Sequence, residues 1–347
     1  MLYIHQSYCI SPQQTFMNVE IETPNEYVAN KMAAKEPGYD GIPPGILRRM
    51  GKAIRLGVGA AMPIIKNNKN LNGIIIGTAN GGMEDCIKFL NQIVQYEEGL
   101  LAPGNFVQST SNAIAAQIGL LSSNKSYNCT HVHRGLAFEN ALIDAVMQLN
   151  QHPGNSYLLG SADEISSFNY NIETLAGAYK KEPCSNLHLY TSNTEGSIAG
   201  EAATMFLVND KKENAIATLK GIDLLHTSDE ALVKEKITQF IATYLPANEK
   251  IDLLISGENG DSRLQKYYTA CEDILQQDTP IARFKNLCGE YPTAAAFGLW
   301  IACHFLQIQK IPAYLFKKQA APQLYKNILL YNNFKGLQHG LMLLRGC

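Results

Sequence analysis

The sequence predicts an α/β fold in which helical layers cover a large, mostly parallel β-sheet. Short apolar runs bounded by Gly, Asn or Ser alternate with longer segments of helical periodicity. The runs are continuously apolar, as expected for parallel strands that are covered on both faces by crossover helices. The 347 residues, 46% hydrophobic and 17% charged, suffice for one large domain or two fused halves with buried cores.

The first part of the chain alternates helices and strands up to a polar stretch at 209–214 (NDKKEN). In chain order the predicted elements are helix 46–65, strand 73–77, helices 83–95 and 112–121, strand 127–130, helix 135–149, and strands 156–161 and 203–208. Apolar residues cover a broad face of helix 135–149, so we expect this helix to be almost fully buried at its centre, between layers.

The remaining part continues the same alternation. Its predicted elements are strand 215–225, helix 229–244, strand 251–256, and helices 261–275 and 293–306. The polar stretch is the best candidate for an internal boundary. It divides one compact domain into an N-terminal half (1–208) and a C-terminal half (209–347). The chain shows no repeat of 20 to 50 residues, so a solenoid or propeller is not expected.

Composition limits the partners and the compartment. Lys plus Arg (29) nearly balance Asp plus Glu (31), so no general attraction to nucleic acid or anionic membrane is expected. The eight cysteines form no Cys-x-x-Cys pair and no zinc-ligand spacing, which favours reduced thiols in a cytosolic protein. We find no basic and apolar leader and no apolar run of about 18 residues. The sequence therefore predicts a cytoplasmic protein without a membrane span.

Five segments form an ordered set of motifs. They are PPGILRRMGKAIRLGVGAA (43–61), IIIGTANGGMEDCIKFL (74–90), LAPGNFVQSTSNAIAAQIGLL (101–121), YLLGSADE (157–164) and AGEAATMFLV (199–208). In order and spacing they resemble β-ketoacyl synthases of the thiolase-like superfamily, and specifically the divergent branch called chain-length factors. Ala202 stands where that family more often has glycine. The resemblance implies a thiolase-like five-layer αβαβα fold with two pseudo-repeated halves.

The nucleophile of active family members is replaced. Those enzymes place a Cys three residues before a Gly, at the start of a buried helix whose dipole lowers the thiol pKa. In the corresponding run NCTHVHRG (128–135), counting back from Gly135 gives Val132, which cannot hold an acyl group. Cys129 is the alternative, displaced nucleophile. Otherwise it is a packing residue of the preceding strand, where no helix terminus would activate it.

Both catalytic histidines of the family are replaced as well. In SGENGD (256–261), Asn259 occupies the first histidine position, and Glu290 occupies the second, in a frame kept by Lys285 and Gly289. Asn259 cannot exchange a proton near neutral pH, and a carboxylate at Glu290 would repel a developing enolate. With Val132, these degenerate positions predict no catalytic residues, while Lys285 is a retained motif lysine.

The resemblance also implies an interface. We expect pairing with a partner subunit through an edge strand at 157–162 and the segment 106–117. The residues predicted at the interface or the acyl tunnel are Phe106, Gln108, Ser109, Asn112, His131, His133 and Arg134. The cluster His131, His133 and Arg134 would orient a partner's loop, bind an acyl carrier phosphate, or form a hydrogen-bonded cluster at the interface.

Other kinds of site are not supported. His131 and His133 form only a dyad, without a nearby carboxylate or Cys to complete a tetrahedral set, so neither a metal nor a cofactor is predicted. The glycines at 77, 81 and 82 are not followed by the Lys-Ser or Lys-Thr of a phosphate loop. The chain also lacks the Gly-x-Ser-x-Gly elbow of a hydrolase.

Three function classes remain open. The favoured one is a non-catalytic chain-length factor that pairs, as a heterodimer, with an active β-ketoacyl synthase served by an acyl carrier protein. It would act in polyketide or fatty-acid-type elongation, and the likeness to aryl polyene and flexirubin pathways of bacteria implies a polyene product. The second is an active 3-oxoacyl synthase or acyltransferase that uses Cys129, with His131 or His133. The third is a structural or carrier-binding homologue outside such pathways.

Overall fold

An eleven-stranded mixed β-sheet dominates the protein, for which a computed structural model describes residues 1–99, 101, 103–320 and 324–347. The strands are β1 (Leu2–Ile10), β2 (Lys31–Met32), β3 (Gly73–Gly77), β4 (Tyr127–His131), β5 (Ser156–Asp163), β6 (Ala199–Gly200), β7 (Ala202–Asn209), β8 (Ala217–His226), β9 (Leu253–Ser256), β10 (Ile281–Arg283), β11 (Phe316–Lys318), β12 (Asn327–Phe334) and β13 (Gln338–Gly346). Strands β2 and β6 form a separate parallel pair.

The helices lie between these strands along the chain. They are α1 (Pro44–Leu47), α2 (Lys52–Asn67), α3 (Met83–Gln95), α4 (Pro103–Gln108), α5 (Ala113–Ser122), α6 (Ala137–Gln151), α7 (Ser167–Leu175), α8 (Glu230–Tyr244), α9 (Gln265–Glu272), α10 (Lys285–Cys288) and α11 (Ala295–Ile308). Within the described parts of the chain, no helix has both the length and the apolar character that crossing a membrane requires.

Two halves of the sheet repeat one topology. The N-terminal half has the order β4-β3-β5-β7-β1, and the C-terminal half has the order β10-β9-β12-β13-β8, with β11 beside β10. In each half three strands run parallel, and the fourth, β7 or β13, is antiparallel to both of its neighbours. A short antiparallel pairing of β1 with β8 joins the halves. The predicted pair of similar halves is therefore present, while the boundary between residues 208 and 209 stays a prediction.

Helices form three layers around these two sheet halves. Helices α6 and α11 contact each other and strands of both halves, so they form the central layer. Helices α2 and α5 cover the outer face of the N-terminal half, and α8 and α9 cover that of the C-terminal half. This is the predicted αβαβα sequence of layers.

Helix α6 is buried on one face only. Phe138, Ala141, Leu142 and Ala145 have no exposed surface, as the apolar pattern predicts, but Met147 is 54% exposed. The expectation of almost complete burial at the centre is therefore wrong for the opposite face. That face lies near the end of the sheet half, where the short edge strand β4 leaves the helix partly uncovered.

Several elements were not predicted, while all six predicted strands are present. Strand β1 and the hairpin β12–β13 were missed because polar residues interrupt their apolar runs. In the hairpin, Asn333 and His339 are buried, with Asn333 Nδ2 2.9 Å from His339 Nδ1 and Tyr331 Oη 2.8 Å from the same nitrogen. These side chains satisfy one another, so the strands tolerate them in the core. The predicted helix 46–65 is split into α1 and α2 before Lys52.

The edge strand of the N-terminal half is β4, which corrects the expected edge at residues 157–162. Those residues belong to β5, which lies between β3 and β7 and is buried. Strand β4 pairs only with β3 among the described residues, so its other main-chain edge is open.

Candidate functional site

Asn259 and Glu290, the two predicted histidine positions, lie side by side. The Asn259 amide donates from Nδ2 to Glu290 Oε2 over 2.7 Å, and the Lys285 ammonium lies 2.7 Å from Glu290 Oε1. The Lys285 side chain has no exposed surface. Both carboxylate oxygens of Glu290 are therefore occupied by donors. Lys285 and Glu290 thus form an ion pair to which Asn259 is hydrogen-bonded, and we call the three residues the Lys285–Glu290–Asn259 cluster.

The backbone fixes this cluster from two sides. Gly289 has a φ of +71°, and a Cβ there would lie 2.6 Å from Gly200 Cα, so only glycine allows this turn. Glu290 then pairs with the segment around β6, since its N–H donates to Ile198 O at 2.7 Å and its carbonyl accepts from Gly200 N at 2.9 Å. Because these contacts join the two halves, the position of Glu290 is set by long-range packing.

A cavity of about 360 Å³ opens above the cluster. Asn259 and Glu290 lie in its wall, together with Tyr170 and Tyr179, whose rings stack at 5.2 Å. Two ion pairs, Lys335 with Glu173 and Arg263 with Asp261, also belong to the lining. The cavity thus offers aromatic surface and paired charges.

Glu164 is a titratable residue of this wall that was not among the predicted site residues. It follows β5 directly, lines the cavity, and accepts from Ala53 N–H at 3.1 Å. Burial raises the pKa of its carboxyl from 4.5 to about 7. The signal available in the sequence was an acidic pair, Asp163 and Glu164, at the end of an apolar strand.

Val132 lies elsewhere. Its side chain is 52% exposed and lines a separate depression with His131, His133, Leu136 and His226. The structure therefore does not bring Val132 into the cavity that Asn259 and Glu290 share. Phe334 lines that cavity and also packs on Gly135, so its ring stands beside the turn that leads into α6.

The turn before α6 is held by Gln338. Gly135 N–H donates to Gln338 Oε1 at 2.9 Å, and Gln338 Nε2 donates to the carbonyl of His133 at 3.3 Å. Arg134 has a φ of +49°, and both His133 and Arg134 are exposed. Their proposed contact with a partner or a carrier phosphate stays a prediction.

The imidazole of His131 also contacts helix α6. Its Nε2 lies 2.9 Å from Asp144 Oδ2 and 3.7 Å from Cys129 Sγ, and Tyr127 Oη donates to the same Asp144 oxygen at 2.9 Å. Contrary to the expectation from the sequence, both a Cys and a carboxylate therefore lie near His131. The expectation failed because Asp144 reaches the strand through the packing of α6, which residue spacing alone does not reveal.

The other predicted interface residues surround α4. Phe106 is 58% exposed and packs on Phe89, with ring centroids 5.3 Å apart. Gln108 Oε1 accepts from Gly51 N–H at 2.6 Å, and Ser109 Oγ donates to Phe106 O at 2.7 Å. Asn112 Oδ1 accepts from Thr130 Oγ1 at 2.8 Å, which ties the start of α5 to β4. Their function at an interface or acyl tunnel remains a prediction.

Glu139, within α6, is a second titratable residue outside the sequence predictions. It is fully buried, and neither carboxylate oxygen has a hydrogen-bond partner among the described residues. Burial raises the pKa of its carboxyl to about 8, although the charge of Lys285 opposes the shift. In the sequence Glu139 stands beside apolar residues of a helical pattern, and that pattern does not indicate that the carboxyl itself is buried.

Comparisons with known proteins agree on one fold. The family model for the N-terminal domain of beta-ketoacyl synthases matches residues 22–227. No curated protein sequence matches the chain. Among solved structures, a type II polyketide synthase acyl-carrier protein in complex with its ketosynthase bound to the hexaketide has a TM-score of 0.80 at 10% identity, over 100% of this chain and 99% of that one.

Two further structures contain chain length factors. The ishigamide ketosynthase/chain length factor has a TM-score of 0.78 at 15% identity, over 100% of this chain and 99% of that one. A ketosynthase in complex with its chain length factor from Xenorhabdus doucetiae has a TM-score of 0.75 at 14% identity, over 100% and 98%. At such identities the likeness shows the thiolase-like fold, which confirms the predicted fold class.

Proposed function

This chain belongs to the β-ketoacyl synthase family, and from that premise we propose that it is a non-catalytic, chain-length-factor subunit. It pairs with a catalytic β-ketoacyl synthase that is served by an acyl carrier protein. The observation that supports the proposal is the Lys285–Glu290–Asn259 cluster, in which the two residues at the predicted histidine positions are already bonded to each other and to a lysine. Such a cluster lacks the neutral imidazoles that assist decarboxylation in the active family.

An uncovered apolar surface supports the heterodimer. Helix α3 buries only Asp85, whereas Leu90 and Val94 are 53% and 81% exposed. On the neighbouring helix α4, Phe106 and Val107 are 58% and 65% exposed. Exposed apolar residues that share one surface favour a protein partner. The open edge of β4 lies in the same half, where a partner strand can extend the sheet.

The setting we propose is cytoplasmic polyene assembly of the aryl polyene or flexirubin type. Among the known structures, ketosynthases occur with chain length factors and with an acyl-carrier protein, which is the arrangement we carry over to this chain. All eight cysteines are free thiols, as is usual for a protein of a reducing compartment. The polyene product rests on the family likeness of the sequence.

An active acyltransferase with Cys129 as nucleophile is the second candidate, because Cys129, His131 and Asp144 lie together. Their geometry argues against it. The thiol and the carboxylate both approach Nε2 of His131, so a nitrogen that donates to Asp144 cannot also take the proton of the thiol. A nucleophilic triad instead uses one ring nitrogen for the nucleophile and the other for the carboxylate.

Coexpression with a β-ketoacyl synthase that has the catalytic Cys and both His tests the proposal. We expect a stable complex with equal amounts of both chains. After incubation with an acyl carrier thioester, intact-protein mass spectrometry is expected to find the acyl group on the synthase only, with the wild-type chain and with Cys129→Ser alike. Stoichiometric acylation of this chain, lost in Cys129→Ser, would establish the second candidate. If the chains elute separately and products do not change without this chain, it belongs to the third class.

Replacing Phe106 with alanine is expected to lengthen or broaden the products by at least one extension unit. Phe106 projects from α4 with more than half of its surface free, so its ring is available to fill space in a partner's acyl tunnel. Product lengths from the reconstituted complex, measured by liquid chromatography and mass spectrometry, give the readout, while the acylation rate of the synthase stays unchanged. Leu232→Ala, at a 48% exposed position of α8, is the control and should keep the original products. The same product lengths from both variants would contradict the role of Phe106.

A further inference from the structure

Three side chains of different ligand types converge beside the edge strand β4. We propose that Cys129 Sγ, His131 Nε2 and Asp144 Oδ2 together bind one Zn²⁺ ion, with water in the fourth position. All three ligand atoms lie within 4.8 Å of one another. Thiolate, imidazole and carboxylate are the ligands that zinc takes in proteins, whereas Mg²⁺ and Ca²⁺ take oxygen.

The distances are close to those of a tetrahedral zinc site. Zinc bonds of ordinary length to sulfur and nitrogen put those two atoms about 3.6 Å apart. Cys129 Sγ and His131 Nε2 lie 3.7 Å apart. His131 Nε2 and Asp144 Oδ2 are 2.9 Å apart and need to separate by about 0.5 Å to admit the ion.

Cys129 and Asp144 both approach Nε2 of His131, which argues against a nucleophilic triad but favours a metal site. Sγ and Oδ2 both lie near Nε2, so one ion can contact all three atoms once the thiol and the imidazole nitrogen have lost their protons. Zinc binding would therefore release the thiol proton and leave the imidazole proton on Nδ1.

Neighbouring groups already orient the carboxylate. Tyr127 Oη donates to Asp144 Oδ2 at 2.9 Å, and Gln148 Nε2 donates to Asp144 Oδ1 at 3.4 Å. Such hydrogen bonds to a ligand fix its rotamer and are typical of metal sites. The side chains of His131 and Asp144 are 27% and 12% exposed, which leaves access for the ion and for water.

Zinc would hold the edge strand to the helix behind it. Cys129 and His131 alternate along β4 and so point to one face, and Asp144 comes from α6 on that face. Pairing with a partner strand uses the main-chain edge of β4, so both contacts are possible at once. The site is a property of this chain alone, and its test does not depend on the proposed function.

Metal titration of the full-length chain tests the site, after treatment with a chelator under reducing conditions. We expect one Zn²⁺ per chain, a higher unfolding temperature with zinc, and, with Co²⁺, the thiolate charge-transfer band of a sulfur-bound ion. Cys129→Ser, His131→Gln and Asp144→Asn should each weaken binding at least 10-fold, and Tyr127→Phe about 10-fold through the lost hydrogen bond.

Two matched variants control for other thiols and imidazoles. Cys86→Ser changes another half-buried cysteine, and His133→Gln changes the next histidine along the chain. Both should bind the metal as the wild type does. Should Cys129→Ser fail to fold, Asp144→Asn decides the question, because it keeps the shape of the side chain and removes its charge. Absence of stoichiometric binding, or unchanged cobalt spectra in the variants of Cys129 and Asp144, would overturn the proposal.

Discussion

Replacing Glu290 with glutamine is expected to lower the free energy of unfolding by about 3 to 5 kcal/mol. The Lys285 ammonium lies 2.7 Å from Glu290 Oε1 and has no exposed surface. Glutamine has one acceptor oxygen in place of two, so it keeps the hydrogen bond from the Asn259 amide only by turning its NH2 towards Lys285. The buried cation then loses both its counter-charge and its acceptor. Urea denaturation at neutral pH measures the difference.

An exposed ion pair of equal length provides the control. Lys310 Nζ and Glu22 Oε1 are also 2.7 Å apart, but their side chains are 69% and 59% exposed. Glu22→Gln is expected to cost less than about 1 kcal/mol, because water solvates both charges. Equal costs of Glu290→Gln and Glu22→Gln would show that burial does not set the energy of the first pair.

A second substitution separates the charge effect from packing. Lys285→Met in the Glu290→Gln background removes the unpaired cation while it keeps a long apolar side chain, so most of the lost stability should return. A double variant as unstable as Glu290→Gln would mean that the lysine stem or the local backbone, rather than the charge, was disturbed. Recovery would show that the cost of Glu290→Gln comes from the unpaired charge of Lys285.

The layers of the fold were predictable from local patterns, but the order of the strands was not. Strands β3 and β5 are each continuously apolar, and that pattern predicts burial on both faces. It does not say which strand ends the sheet. The partly exposed strand β4 holds the edge position that was expected for β5. Edge position depends on the long-range pairing of β5 with β7, which no local window contains.

In the candidate site, too, local patterns were predictable and long-range contacts were not. The frame of Lys285 and Gly289 identified Glu290, and the strand end identified Asn259, because both signals are local. Their contact across 31 positions needed the structure. The convergence of Asp144 on His131 was equally inaccessible, since the rotation of α6 against β4 decides which helix face meets the strand.

Glu139 provides the other large effect, and Glu139→Gln is expected to stabilise the protein increasingly as pH rises. Burial raises the pKa of the folded-state carboxyl from 4.5 to about 8. Below about pH 4.5 both the folded and the unfolded chain hold the proton, so ionisation costs no stability. Between those two pKa values only the folded chain holds it, and stability falls by about 1.4 kcal/mol per pH unit.

Glutamine has a similar shape and cannot ionise, so the variant escapes this loss. Its advantage over the wild type should be near zero at pH 4.5, about 3 kcal/mol at pH 7, and largest from about pH 8 upward. Urea denaturation across that pH range measures it, with the exposed Glu213→Gln as a control that leaves the pH dependence unchanged. A gain in stability that does not depend on pH would mean that packing, not ionisation, causes the effect. A loss that grows with pH would overturn the prediction, because it would mean that the Glu139 carboxylate is ionised and stabilised in the folded chain, with the charge of Lys285 among the groups that favour ionisation.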